Sequence, residues 1–313
     1  VSAAAAALTP RSARADDYPS RPPHLVVGFT PGAAADVTGR ILAGGLGGLI
    51  GQQVVVDNKP GAGSSIAAEF SAHAAPDGYT LYLGSSANIT NQVINPTLPF
   101  DMLKDFAPMA LVTTAAVVLV VNPSINVHSL SELIALAKSK PGEVLYGSTG
   151  VGAAPHLAAE LLSQRAGLKL VHVPYQGSPQ AVADLIAGRT MMMFSPASSV
   201  IGQIQAGKLV GIATAASKRP AILPDLPTMA EAGMPDFDTG IWFGLMGPKG
   251  TPQPIVDRLT KAATEAMHQP DAVATLGKQG IEVLSGGPDE FKRFMETEVA
   301  RWSDVARAAG LKS

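Results

Sequence analysis

An α/β fold is predicted by three features of the sequence. Apolar, β-branched runs recur along the chain, each stops at glycine, proline or serine, and stretches of helical periodicity lie between them. In order, the runs are HLVVGF, QVVVDN, TLYLGS, AAVVLVVNP, VLYGS, KLVHVPY, TMMMFS and LVGIATAA. Several are apolar at every position, the pattern of parallel strands covered on both faces. The helical stretches between them cover residues 36–46, 66–75, 130–138, 155–165, 179–187 and 199–206. Near the C-terminus helices dominate, at 254–268, 271–279 and 288–309, with one short strand-like run, IEVLS, among them.

Two of the runs end alike. VVLVVNPS at 117–124 and IWFGLMGPKGTP at 241–252 each pass through proline into a helix. Such a pair marks the two crossovers of a chain that leaves one domain, builds a second and returns, although two strands of a single sheet would read the same. On the two-domain reading, residues 16–115 and 240–313 form domain 1 and residues 116–239 form domain 2.

A 313-residue chain with 46% hydrophobic and 15% charged residues can bury two cores of ordinary size. Its 25 acidic and 23 basic residues are spread without blocks and leave a formal charge of -2, which argues against nucleic-acid binding. The absence of cysteine excludes disulfides, thiolate catalysis and cysteine-held metals. The N-terminal VSAAAAALTPRSARADDYPS carries an alanine-rich run and then Ala13-Arg14-Ala15, a small-x-small pattern, ahead of Asp16 and Asp17. Residues 1–15 therefore read as the remnant of a signal peptide, with a disordered tag-like extension as the competing explanation, and the expected location is the periplasm. No run of about 18 apolar residues suggests a membrane span.

Two strand-to-helix turns concentrate the chemistry. The first is GFTPGAAADVTGRIL (28–42) and the second YGSTGVGAAPHLAAELL (146–162). A helix start leaves about four backbone N–H groups without partners and carries the positive end of the helix dipole, so it suits an anion. Gly32, Gly147, Gly150 and Gly152 let a ligand approach the backbone, and Ser148 and Thr149 add hydroxyl donors. Neither turn is a nucleotide loop: GSTGVGAAPH lacks the third in-register glycine of a dinucleotide fingerprint, and no Lys-Ser/Thr pair follows it. A tight connection without a ligand is the competing explanation of either turn taken alone.

Enzymatic constellations are hard to assemble. The histidines His24, His73, His128, His156, His172 and His268 contain no metal-spaced pair, and no G-x-S-x-G elbow occurs. A strand-end serine, Ser85 or Ser148, leaves an α/β hydrolase or transferase open as an alternative, with no partner base legible. His156, one turn into the second helix, reads as a packing or loop-bracing group rather than an acid or base.

In these residues the chain resembles the substrate-binding proteins of tripartite tricarboxylate transporters, the TctC or Bug family. The likeness covers nearly everything after Tyr18. It rests on VVGFTPGAAADVTGRIL, VVVDNKPGAGSSIAAE, PDGYTLYLGS, GSTGVGAAPHLAAELL, VPYQGSPQAVADLIAGR, AGKLVGIATAASKRPAILPDLPTMAEAG and WFGLMGPKGTP, in family order. The resemblance implies a two-domain periplasmic-binding-protein fold of type II, with a Venus-flytrap cleft that closes over one small organic carboxylate. It also implies membrane permease subunits as partners, a monomer, no cofactor and no direct membrane insertion. A sensory receptor of the same fold would bind in the same way.

Carried over position by position, the first turn supplies Phe29, Thr30, Gly32, Ala33, Ala34 and Ala35, with Asp36 capping its helix. The second supplies Ser148, Thr149, Gly150 and Ala153, with His156 as brace. Ser85, Ser86 and Asn88 are expected on the first-domain wall, and Tyr175, Ser195 and Pro196 on the second. Trp242 and Phe243 are expected at the hinge or the cleft wall. Two departures bear on the ligand. Ala33 stands where the family has the second glycine of P-G-G, which alters backbone freedom at that turn. Ser195 stands near the place where amino-acid-binding members carry an aspartate, so an amine would lack a counter-charge and the expected ligand is an amine-free acid, first of all a dicarboxylate, with an aromatic acid left open.

Overall fold

A computed structural model describes residues 18–175, 177–237, 239–308 and 310–311. The signal-peptide reading of residues 1–15 falls outside the described residues. The chain begins with β1 (His24–Val27), α1 (Ala34–Ile50), β2 (Val55–Asn58), α2 (Ser65–Ala72), β3 (Thr80–Ser85), α3 (Ser86–Ile94) and β4 (Phe106–Ala115). It continues as β5 (Val117–Val121), α4 (Leu130–Ser139), β6 (Val144–Ser148), α5 (Ala154–Ala166), β7 (Leu170–Pro174), α6 (Ser178–Ile186), β8 (Met192–Pro196), α7 (Ala197–Gln205) and β9 (Val210–Thr214). It ends with β10 (Ile241–Pro248), α8 (Gln253–Met267), α9 (Pro270–Gly277), β11 (Ile281–Gly286) and α10 (Pro288–Ala308).

These strands form two mixed sheets. The first has the order β11-β4-β10-β3-β1-β2, and the second β7-β6-β8-β5-β9. In the first, β1 runs parallel to β2 and β3 while β10 lies antiparallel between β3 and β4. In the second, β6 is parallel to β7 and β8, and β5 is antiparallel to β8 and β9. The helices following β1, β3, β6 and β8 therefore start at the carboxyl ends of parallel strands, where open α/β sheets place their ligands.

The chain passes from one sheet to the other through Ala116 alone. Its N–H donates to Gly280 O at 3.2 Å and its C=O accepts from Ala197 N–H at 2.9 Å, which fastens the junction on both sides. The return to β10 is tied by Thr239 N–H to Ala215 O at 2.9 Å. Helix α10 packs against α3 and β4 of the first lobe and α5 of the second. Phe291, Met295 and Trp302 on it are buried, and each buried large apolar side chain contributes about 2 kcal/mol by leaving water. Gly244 on β10 is required here, because a Cβ would meet the Phe291 ring at 2.1 Å.

Two elements depart from the periodicity reading. β4 contains Pro108, which reads as a breaker, yet a register shift against β10 beside Met246 accommodates it at a bulge. α3 has the sequence SANITNQVI, whose polar residues hide its apolar stripe, although Ile89 and Val93 are buried four residues apart.

Candidate functional site

The first corner runs from the end of β1 into α1. Gly32 takes φ 84°, a region that suits glycine, and Ala33 is the N-cap at φ −70°, ψ 160°. An alanine methyl accepts no hydrogen bond, so the N–H groups of Ala35 and Asp36 lack the partner that a serine or aspartate cap would give, and the Ala34 N–H is open as in any helix start. Asp36 is not that cap. Its carboxylate reaches back past Ala33 to the Gly32 N–H at 2.8 Å and is held from behind by Arg40 Nε at 2.9 Å and Asn58 Nδ2 at 2.9 Å. Asn58 also donates to Phe29 O at 2.9 Å. Burial opposes ionisation of Asp36, but the hydrogen bonds from Arg40, Gly32 and Asn58 and the Arg40 charge outweigh it and lower its pKa. Phe29 packs edge-on against Phe243, with ring centres 6.4 Å apart.

The second corner repeats this plan between β6 and α5. Ala153 is the N-cap at φ −66°, ψ 154°, and Gly152 before it has φ 77°. The Gly152 N–H donates to His156 Nδ1 at 2.9 Å, so an acceptor four residues ahead pins each corner. Pro155 removes one N–H from this helix start, which leaves Ala154 and His156 as its outward donors. Ser148 Oγ meets the Gly150 N–H and C=O at 3.1 Å each and lies 2.6 Å from His172 Nε2, so it shapes the turn from inside. Thr149 and Gly150 are half-buried. Tyr175 ties its N–H to Ser148 O at 3.0 Å and its hydroxyl to Asp184 at 2.9 Å.

The walls divide into structural and open groups. Asn88 Oδ1 accepts from Ser85 N–H, Ser85 Oγ and Tyr82 O–H at 2.9, 3.2 and 2.9 Å, all of them buried. The Tyr82 oxygen also meets Ser64 Oγ at 2.9 Å, and Gly28 leaves room for Ser64, whose Oγ would lie 1.7 Å from an added Cβ. Ser86 is different: it is buried at the start of α3, and its Oγ has no hydrogen-bond partner among the described residues. Ser195 is fully buried beside Pro196, the N-cap residue of α7. Trp242 does not line a cleft; it is buried under α10 against Phe291 and Phe294, with its indole N–H on Glu298 at 3.3 Å.

The second corner abuts the first lobe. A Cβ on Gly152 would lie 2.8 Å from Ile94 Cδ1 and 3.7 Å from Asn91 Oδ1. Asn91 in turn donates to Ala62 O and Gly63 O at 3.1 and 2.9 Å, so it links the turn before α2 to this boundary. Asn58, Asn91 and His172 escape a sequence reading because each acts on a segment distant in the chain, whereas Arg40 stands four residues from Asp36, the ordinary spacing of a helical ion pair. Among the described residues no group of three or more His, Asp or Glu side chains is placed to hold a metal, and no helix is long and apolar enough to cross a membrane.

The two-sheet architecture is that of periplasmic binding proteins, and this class of solute-binding receptor is what fold and corners define. The profile of the family described as the tripartite tricarboxylate transporter family receptor, TctC, matches residues 38–311. The chain is 38% identical over 300 residues to protein BugT of Bordetella pertussis, covering 95% of this chain and 92% of BugT. It is similar to an R. palustris protein solved with adipate, at 34% identity and a TM-score of 0.83, covering 94% of this chain and 99% of that one. It is similar also to MatC from Rhodopseudomonas palustris with bound malate, at 32% identity and a TM-score of 0.80, covering 92% and 99%. The chain belongs to the TctC family of solute-binding receptors.

Proposed function

We propose that this receptor captures a small organic carboxylate without an amine, first of all an aliphatic dicarboxylate, between its lobes, and delivers it in the closed form to the permease of a tripartite tricarboxylate transporter. The lobes are residues 16–115 with 240–313 and residues 116–239, and the protein acts as an exported monomer in the periplasm. The observation that carries this reading is the matched pair of corners, in which Gly32 and Gly152 are pinned to Asp36 and His156 while an alanine N-cap leaves the helix-start N–H groups open. Such N–H groups hold a carboxylate without a cationic side chain. Arg40 is engaged with Asp36, and Ser195 offers no charge to an ammonium. The relatives solved with adipate and malate support the ligand class. Closure is a shift of population, because a ligand touches both lobes only when they are together.

One contact favours a second reading, a hydrolase or transferase: Ser148 Oγ lies 2.6 Å from His172 Nε2. Against it, Ser148 is fully buried and its oxygen is enclosed by the Gly150 N–H and C=O of its own turn. A thermal-shift screen across C4 to C8 diacids, hydroxyacids, amino acids and aromatic acids tests the proposal, since a ligand of the native state raises the melting temperature. Diacids are expected to stabilise and amino acids to leave the protein unchanged. Recovery of chemically altered ligand after incubation with esters and acids would overturn the receptor reading in favour of the enzyme.

A further inference from the structure

The hydrogen bonds that shape the second corner end on two imidazoles packed face to face. His156 Nδ1 accepts from Gly152 N–H at 2.9 Å, and His172 Nε2 meets Ser148 Oγ, which itself accepts from Gly150 N–H at 3.1 Å. The two rings are 3.9 Å apart between centres and 12° from parallel, and Tyr146 extends the stack at 4.9 Å from His172. Side chains from β6, β7 and α5 thus meet beneath one loop.

We propose that His156 and His172 together are the positioning pair of the ligand corner at residues 148–153, and that they hold its N–H groups in binding geometry only while the His156 ring is uncharged. The proposal rests on the carboxylate reading above for its affinity readout but not for its geometric one. Accepting the Gly152 N–H fixes the proton of neutral His156 on Nε2, which faces Glu160 Oε1 at 3.8 Å. A second proton would occupy Nδ1 and meet the Gly152 N–H head on, so the loop end would lose its anchor. Burial, and then the neighbouring His172, hold His156 down to about 4, and burial lowers His172 as well.

The other groups around the pair are mostly committed. Tyr146 donates its hydroxyl to Glu160, and α6 brings Asp184, paired with Arg189 and Tyr175. α10, which also packs on α5, brings Glu298, held by Arg301 and the indoles of Trp242 and Trp302. α3 and β8 carry no titratable side chain. The first corner is pinned by a carboxylate instead, which accepts the Gly32 N–H while it stays ionised.

Carboxylic acids titrate in the same range as His156, so the test reads the protein's own amides. In unliganded, ¹⁵N-labelled protein the Gly150 and Gly152 amide signals are followed from neutral pH to about pH 3, in the wild type, His156→Asn, His156→Phe and His172→Phe. The dissociation constant for adipate is measured at neutral pH on the same proteins. The wild-type Gly152 signal is expected to move as His156 protonates, and His156→Asn, which keeps an acceptor, is expected to hold the neutral-pH position throughout. His156→Phe keeps a ring but no acceptor, so its Gly152 signal is displaced at every pH and adipate binding weakens about tenfold. His172→Phe displaces Gly150 and weakens adipate to a similar degree. A Gly152 signal in folded His156→Phe that matches the wild type, or adipate affinity unchanged in both phenylalanine variants, overturns the proposal. Should the variants not fold, the wild-type titration decides alone, a Gly152 signal that stays put as His156 titrates being the negative result. If the wild type binds none of the acids, the carboxylate reading fails while the amide signals still settle the role of the pair.

Discussion

The side-chain oxygen of Asn88 accepts the Tyr82 hydroxyl at 2.9 Å in the interior of the first lobe. Because Ser85 N–H and Oγ converge on the same oxygen, Asn88 joins the end of β3, the start of α3 and, through Tyr82, the Ser64 turn. Asn88→Leu would leave these buried donors unpaired, at a cost of about 3 kcal/mol. Urea denaturation of the two proteins measures it; a loss below about 0.5 kcal/mol would show that the network is dispensable.

Ser86 is the counterpart, with a buried hydroxyl that finds no partner among the described residues. Removing an unsatisfied polar group relieves rather than costs stability. Ser86→Ala is therefore expected to melt at or slightly above the wild-type temperature and to bind carboxylate less tightly, by about 1 kcal/mol for a lost hydrogen bond. Calorimetric titration beside a melting curve separates the two effects, and equal affinity removes Ser86 from the ligand surface.

Thr149 sits half-buried on the second corner. Thr149→Val keeps its shape and deletes the hydroxyl, so affinity for an acid should fall by about 1 to 3 kcal/mol if the hydroxyl meets the anion. Unchanged affinity assigns the corner's donors to the backbone alone.

Asp36→Ala removes the acceptor of Gly32 N–H, Arg40 and Asn58 together. A destabilisation of about 2 kcal/mol is expected at neutral pH, with part of the Arg40 contribution screened because that side chain is half exposed. The folded carboxyl titrates below its ordinary value, so its contribution is present above about pH 4 and is lost as pH falls through the lower folded value. Urea melts at neutral pH and at about pH 3 should therefore show the gap between variant and wild type narrowing. A gap that widens in acid contradicts this account of the brace.

Both corners were legible because their signals are local: glycine, proline and alanine at a strand end followed by a helix, with a polar residue four positions after the second-corner and first-corner glycines. Their bracing was legible only in part. Asp36 was expected as a helix cap, but at the third helical position its carboxylate is aimed back at Gly32 rather than at its own helix start. Asn58, at the end of β2, and His172, in the middle of β7, lie on strands that neighbour the corner strands only once the sheets have formed, and no spacing in the sequence announces that neighbourhood. β4 was hidden by Pro108, whose tolerance depends on a bulge set by its partner strand. The buried state of Trp242 likewise follows from α10, which arrives from the far end of the chain.

The central claim is that the helix-start N–H groups of both lobes meet on one carboxylate ligand. A crystal structure of the protein with the acid that raises its melting temperature most tests this directly. The account predicts carboxylate oxygens within hydrogen-bond reach of the Ala34 or Ala35 N–H on one side and the Ala154 or His156 N–H on the other. Ligand density that touches one lobe only, or that lies away from both corners, would contradict it.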